Sequence, residues 1–221
     1  MKKPTKGEAQ RVQDGWAEAS VLMKIIRLGR IKFLVYSLAC HMVGVAYGAS
    51  QQGLSIDWPL FGLLQLTIWT THVMTHFWNE YADVEVDRMN QNATSWTGGS
   101  KVLAKGWLPN WVAAACGTVT FVIAFASGVV TVYRFVSLTP GLLPEEVLAA
   151  EGIAEFVSLL TPARVLAVMV SEQFPWHFVL LGWSVLFVAI SYSLPPLHFS
   201  ANGLGEVAVS YGTLAESSFV L

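Results

Sequence analysis

The chain has 221 residues, 54% of them hydrophobic and only 13% charged, with a formal net charge of −2. Soluble domains carry about 25% charged residues, so this composition excludes an ordinary water-exposed surface and points to one that faces lipid. The near-neutral balance gives no sign of a nucleic-acid partner, and nine Trp and twelve Phe suit the interfaces of a bilayer.

Residues 1–20 are polar and include Glu8, Asp14 and Glu18, which argues against a cleavable signal or an acid-poor transit peptide. Residues 20–32 read as an interfacial helix, with apolar Val21, Leu22, Ile25, Ile26 and Leu28 against basic Lys24, Arg27 and Arg30. A simple cytoplasmic anchor is the plainer alternative for this segment. Four stretches, at 31–49, 60–78, 110–133 and 174–192, have the roughly 20 mostly apolar residues a spanning helix needs. A fifth starts near Leu204 and carries Glu206 and Glu216. Two regions predict the organisation: a cytoplasmic N-terminal segment at 1–30 and a transmembrane helical domain at 31–221.

Of the 13 Lys and Arg, eight precede residue 33 and three (Arg88, Lys101 and Lys105) follow the second span. The segment at 134–173 has only Arg134 and Arg164 beside five Glu. By the positive-inside rule the N-terminus and the 79–109 loop are cytoplasmic, and the acidic insertion at about 137–173 is external. That insertion contains Pro140, Pro144 and Pro162, and a short helix is predicted over 144–158. Cys40 and Cys116 lie in apolar runs and read as free thiols.

The chemistry concentrates where the second span ends, at His76-Phe77-Trp78-Asn79-Glu80-Tyr81-Ala82-Asp83-Val84-Glu85-Val86-Asp87-Arg88. Asn79, Asp83 and Asp87 are spaced i, i+4, i+8 and share one helix face. One amide and two carboxylates offer a hard cation such as Mg²⁺ part of an oxygen shell, with places left for water and phosphate. A solvated helix end is the bland reading. The position directly after an apolar span, and the mutual repulsion of clustered acids, favour the metal reading. His72 and His76, spaced i, i+4, more commonly line a helix interface than hold a metal.

With these residues the chain resembles the UbiA superfamily of intramembrane prenyltransferases, whose hallmark is Asn-Asp-x-x-Asp-x-x-x-Asp after the second span. Asn79, Asp83 and Asp87 match it, and Glu80 stands where Asp is usual. Thr97-Gly98-Gly99-Ser100-Lys101-Val102-Leu103 is similar to a Gly-Gly-Ser-Arg/Lys segment of dihydroxynaphthoate prenyltransferases. Ser191-Tyr192-Ser193-Leu194-Pro195-Pro196-Leu197-His198 and Gly203-Leu204-Gly205-Glu206 are similar to the Tyr-Ser-x-Pro-Pro-Leu-Lys/Arg loop and the helix start that follows it, with His198 at the basic position.

The resemblance implies an all-α bundle of about nine spans, helices being able to satisfy their own backbone in lipid. It implies Mg²⁺ held by Asn79, Asp83 and Asp87, with Asp83, Asp87, Lys101 and Tyr192 catalytic. Asn79, Arg88, Lys101, Tyr192 and His198 would contact substrate, a prenyl diphosphate whose prenyl group passes to an aromatic, quinone-precursor acceptor. Cyclisation of the prenyl chain on the same scaffold, and an inactive truncated membrane protein, are the alternatives. The family's second Asp motif has no counterpart, because no Asp follows Asp87, and the chain ends in its fifth predicted span. The expectation is a C-terminally partial chain with little transfer activity of its own.

The charge asymmetry makes a topological prediction. Reporter tags at residue 5 and within 90–105 should read as cytoplasmic, and a tag near 150 should lie on the opposite side. A cytoplasmic signal at 150 contradicts the assignment.

Overall fold

A computed structural model of the chain describes residues 15–90, 99–139, 141, 143–149, 155, 158–159, 161–172, 174 and 176–218. It is 76% helical, with no strand among the described residues. Helix α1 runs Val21–Leu28 and is capped by Ser20, whose side chain accepts from the Met23 N–H. A 3₁₀ turn at Ile31–Phe33 leads directly into α2, Leu34–Gln52, which ends at Gly53 in the left-handed region. Helix α3, Trp58–Ala82, begins at Asp57, whose carboxylate accepts from the Leu60 N–H. A break at Asp83 separates it from α4, Val84–Met89. Further along the chain come α5 (Asn110–Leu138), α6 (Glu145–Leu148), α7 (Pro162–Met169), α8 (Trp176–Ser193) and α9 (Gly205–Ser218).

Among the described residues three helices are long and apolar enough to cross a membrane: Ile31–Gln52, Asn110–Leu138 and Trp176–Ser193. They cover the first, third and fourth predicted spans. Most of their apolar surface faces outward, as with Val43 (68% exposed), Val119 and Phe187. A surface of that kind is unusual on a soluble monomer and compatible with a bilayer.

The second predicted span coincides with α3, yet α3 is not among the three apolar helices. Its position explains the difference. It packs closely against α5, and also against α2 and α8, so much of its surface meets protein rather than the outside. Gln65, Thr71 and Glu80 on α3 are buried. Close packing on α5 is possible because Gly117 has no side chain; a Cβ there would collide with the Trp78 indole. The fifth predicted stretch appears as α9, 14 residues or about 21 Å, shorter than a bilayer core.

The insertion at about 137–173 departs from its predicted single helix over 144–158, with a turn at Ala149. Helix α6 stops at Leu148, and α7 begins only after Thr161 caps it and Pro162 takes the first helical position. Residues 150–154, 156–157 and 160 lie outside the described residues. Leu143 and Val147 pack on Val136 of α5, and Arg164 pairs with Glu146 at 3.0 Å, so the described part of the insertion folds back on the bundle. Cys40 and Cys116 are free and half-buried.

Candidate functional site

A cavity of about 580 Å³ runs alongside α3, bordered by α5, α8 and α9. One end is polar, with Arg30, His76, Asn79 and Tyr192 on its wall, and the long remainder is largely apolar. Asn79 lies in the last turn of α3. Its Oδ1 is buried and has no hydrogen-bond partner, an arrangement that favours an incoming donor or cation.

The backbone register of the predicted stripe continues across the break at Asp83, although of its three residues only Asn79 lines the cavity. The Asp83 N–H still bonds the Asn79 carbonyl and the Asp87 N–H the Asp83 carbonyl, both at 2.8 Å, so the i, i+4 register continues from α3 into α4. Asp83 is half-buried and faces the loop after α8, where His198 Nε2 lies 3.2 Å from its Oδ1. That contact brings the first and third motifs together. Asp87 is 9% exposed. Burial raises the pKa of its carboxyl, and the charge of Glu80 raises it further, while Lys101 acts in the opposite direction.

Helical rise limits what the stripe can hold. Each step of four residues advances about 6 Å, so Asn79 and Asp87 are about 12 Å apart along the axis. One ion reaches neighbours a single turn apart, which makes Asn79 and Asp83 a donor pair. Asp87 joins a common site only through a second ion or an intervening diphosphate. Among the described residues no group of three or more His, Cys, Asp or Glu could hold a metal, so any shell built on this pair needs water and ligand oxygens. An amide oxygen and a carboxylate, with the amide oxygen partnerless, fit such a partial shell.

The other predicted residues divide. Tyr192 lies in the last turns of α8 and lines the polar end of the cavity. Lys101 Nζ is 3.7 Å from Asp87 Oδ1 and donates to the carbonyls of Asp87 and Asn90, which ties it to the end of α4. Arg88 is exposed and paired with Glu85, on the side of α4 away from the stripe. Glu85 is 71% exposed, as its position on the helix requires. Gly99 has a φ of +75°, and an added Cβ would overlap the Asp87 carboxylate. This glycine admits the Asp87 side chain rather than a ligand.

Sequence reasoning missed the residue that organises this end. Glu80 is 2% exposed and sits at the meeting point of three segments. Arg30 donates to its Oε1 at 2.6 Å, and the Ser100 backbone N–H donates to the same oxygen. The Ser100 hydroxyl donates to Oε2 at 2.6 Å. The Ser100 carbonyl in turn accepts from Arg27 Nε at 3.0 Å, and the Arg27 guanidinium lies 4.3 Å from the centre of the Trp16 ring. The one available signal was Glu in place of the usual Asp: the longer side chain reaches both Arg30 and Ser100.

Removing one partner of a buried pair leaves the other charge uncompensated. Glu80→Gln should therefore destabilise the protein by about 3 kcal/mol. Glu85→Gln, at an exposed pair, should change stability by less than about 1 kcal/mol. Unfolding in mixed micelles measures both, and equal effects contradict the assignment of Glu80 as the organising residue.

No family model matches the chain, and searches of curated proteins and of solved structures found no match to it.

Proposed function

We propose that the chain is a multi-pass membrane protein of UbiA-like type, with a cytoplasmic N-terminus, that transfers a prenyl group from a prenyl diphosphate to an aromatic acceptor with Mg²⁺. The observation that carries this reading is the pairing of a long apolar cavity with one polar end, where the partnerless Asn79 Oδ1 begins a carboxylate stripe. A prenyl diphosphate has the same two-part character, an apolar chain with a doubly charged head. The motif resemblance over residues 76–206 adds to it.

Asn79 and Asp83 would hold Mg²⁺, and Asp87 a further ion or the far side of the diphosphate. When bound, Mg²⁺ supplies charge neutralisation to the diphosphate. His198, beside Asp83, orients that carboxylate and can donate to a phosphate oxygen when Asp83 turns to the metal. Lys101 places a positive charge beside Asp87. The C–O bond breaks with its electron pair leaving on the diphosphate. A carbon of the aromatic acceptor then supplies the pair for the new C–C bond and loses its proton. Tyr192 and the apolar walls beyond it keep water from the allylic cation.

Mg²⁺-dependent binding of a non-hydrolysable prenyl diphosphate tests the proposal. Asp83→Asn and Asp87→Asn should each weaken binding at least about tenfold, roughly 1.4 kcal/mol, and Glu85→Gln should leave it unchanged. Gly99→Ala should weaken it in the same direction, because the added methyl displaces Asp87 without altering its charge. Binding that ignores Mg²⁺, or that falls as far with Glu85→Gln as with Asp83→Asn, overturns the reading.

A further inference from the structure

The cavity has a defined depth. Its lining runs along α3 from Asn79 back to Leu64 and along α8 from Tyr192 back to Phe178. At 1.5 Å per residue these stretches measure about 22 and 21 Å, so two helices agree on the length. At the far end the lining includes Leu64, Ile68 and Phe178, a buried cluster backed by Val132 and Leu181. Phe178 is 8% exposed, and its ring stacks on Phe135 with centroids 5.6 Å apart and planes at 15°. A ring held on one face by another ring is a stiff stop rather than an adaptable side chain.

An isoprenoid unit adds four carbon–carbon bonds of about 1.5 Å, which zigzag to about 5 Å per unit. With the charged head beside Asn79, the depth accommodates about four units before the chain meets the Phe178 ring. We propose that Phe178 is a specificity-determining residue that sets the longest linear isoprenoid chain the cavity accepts, at about four units. This rests on the proposed function for the class of ligand, while the depth limit itself applies to any linear isoprenoid.

Gly182 supplies an independent handle on the same floor. It lies one helical turn from Phe178 toward the polar end and lines the same cavity. A Cβ built there meets nothing within 4 Å, so a side chain at 182 enters open space. One turn is about 6 Å, close to one isoprenoid unit. Truncating Phe178 therefore deepens the cavity, and filling position 182 makes it shallower by about one unit.

The experiment measures binding to the full chain in lipid nanodiscs for two series of two to six prenyl units: thiolodiphosphates with Mg²⁺, and the neutral prenyl alcohols. Affinity should rise with length up to about four units, each buried methylene adding to it, and fall at least about fivefold at the next unit. Phe178→Ala should move the optimum to about five units and Gly182→Leu to about three. The two variants act in opposite directions, and Gly182→Leu improves helix propensity, so it carries the test if Phe178→Ala does not fold. An optimum unchanged in both variants overturns the depth limit. A shift in the alcohols, with diphosphates indifferent to Mg²⁺, upholds the depth limit and removes the transferase reading. Binding of neither series overturns both.

Discussion

A carboxylate buried among helices is costly unless it is paired and hydrogen-bonded, and Glu80 meets that demand with partners from two other segments. Arg30 comes from the turn before the first span, Glu80 from the end of α3, and Ser100 from the segment after the acidic stripe. Because their polar atoms have no comparable alternative once buried, the three segments have one arrangement. Arg27 extends the network to Trp16 and Trp107, and Leu28 packs with Phe77, Val102 and Leu103 beneath it. Everything proposed for the polar end of the cavity depends on this junction, since it fixes where Asn79, Asp87 and Lys101 stand relative to one another.

The junction also accounts for the division of roles among the helices. The three apolar helices turn most of their surface outward, where no polar group has to be satisfied. Helix α3 runs between partners and is free to carry Gln65, His72, His76, Asn79 and Glu80. His72, His76 and Asn79 line the cavity, Glu80 lies in the junction, and Gln65 meets His41 at 2.8 Å. Two glycines make the close contacts possible: Gly117 admits the Trp78 ring between α3 and α5, and Gly99 admits the Asp87 carboxylate.

The positions of the long helices were legible because the apolar runs that mark them are a matter of local composition. The one-face relation of Asn79, Asp83 and Asp87 was legible for the same reason, being a matter of helical period. Helix α3 read as a span from its run of apolar residues, yet it is not among the helices long and apolar enough to cross a membrane. Its packing against neighbours, which composition does not show, lets it carry polar residues. The role of Glu80 was out of reach, since it is defined by residues 50 positions before it and 20 after it. Lys101 and Arg88 were both expected to contact substrate, and the structure separates them by the partner of each, Asp87 for Lys101 and exposed Glu85 for Arg88. The packing around Phe178 is likewise tertiary, carried by α3, α5 and α8 together.

An experimentally determined structure of the protein with Mg²⁺ and a four-unit prenyl thiolodiphosphate tests the central claim most directly. The account predicts a metal ion on Asn79 Oδ1 and Asp83, the diphosphate beside it near His198, and the chain extended along α3 and α8 with its tail against the Phe178 ring. A chain bound outside the cavity, or a head group away from Asn79 with that amide oxygen still partnerless, would contradict it.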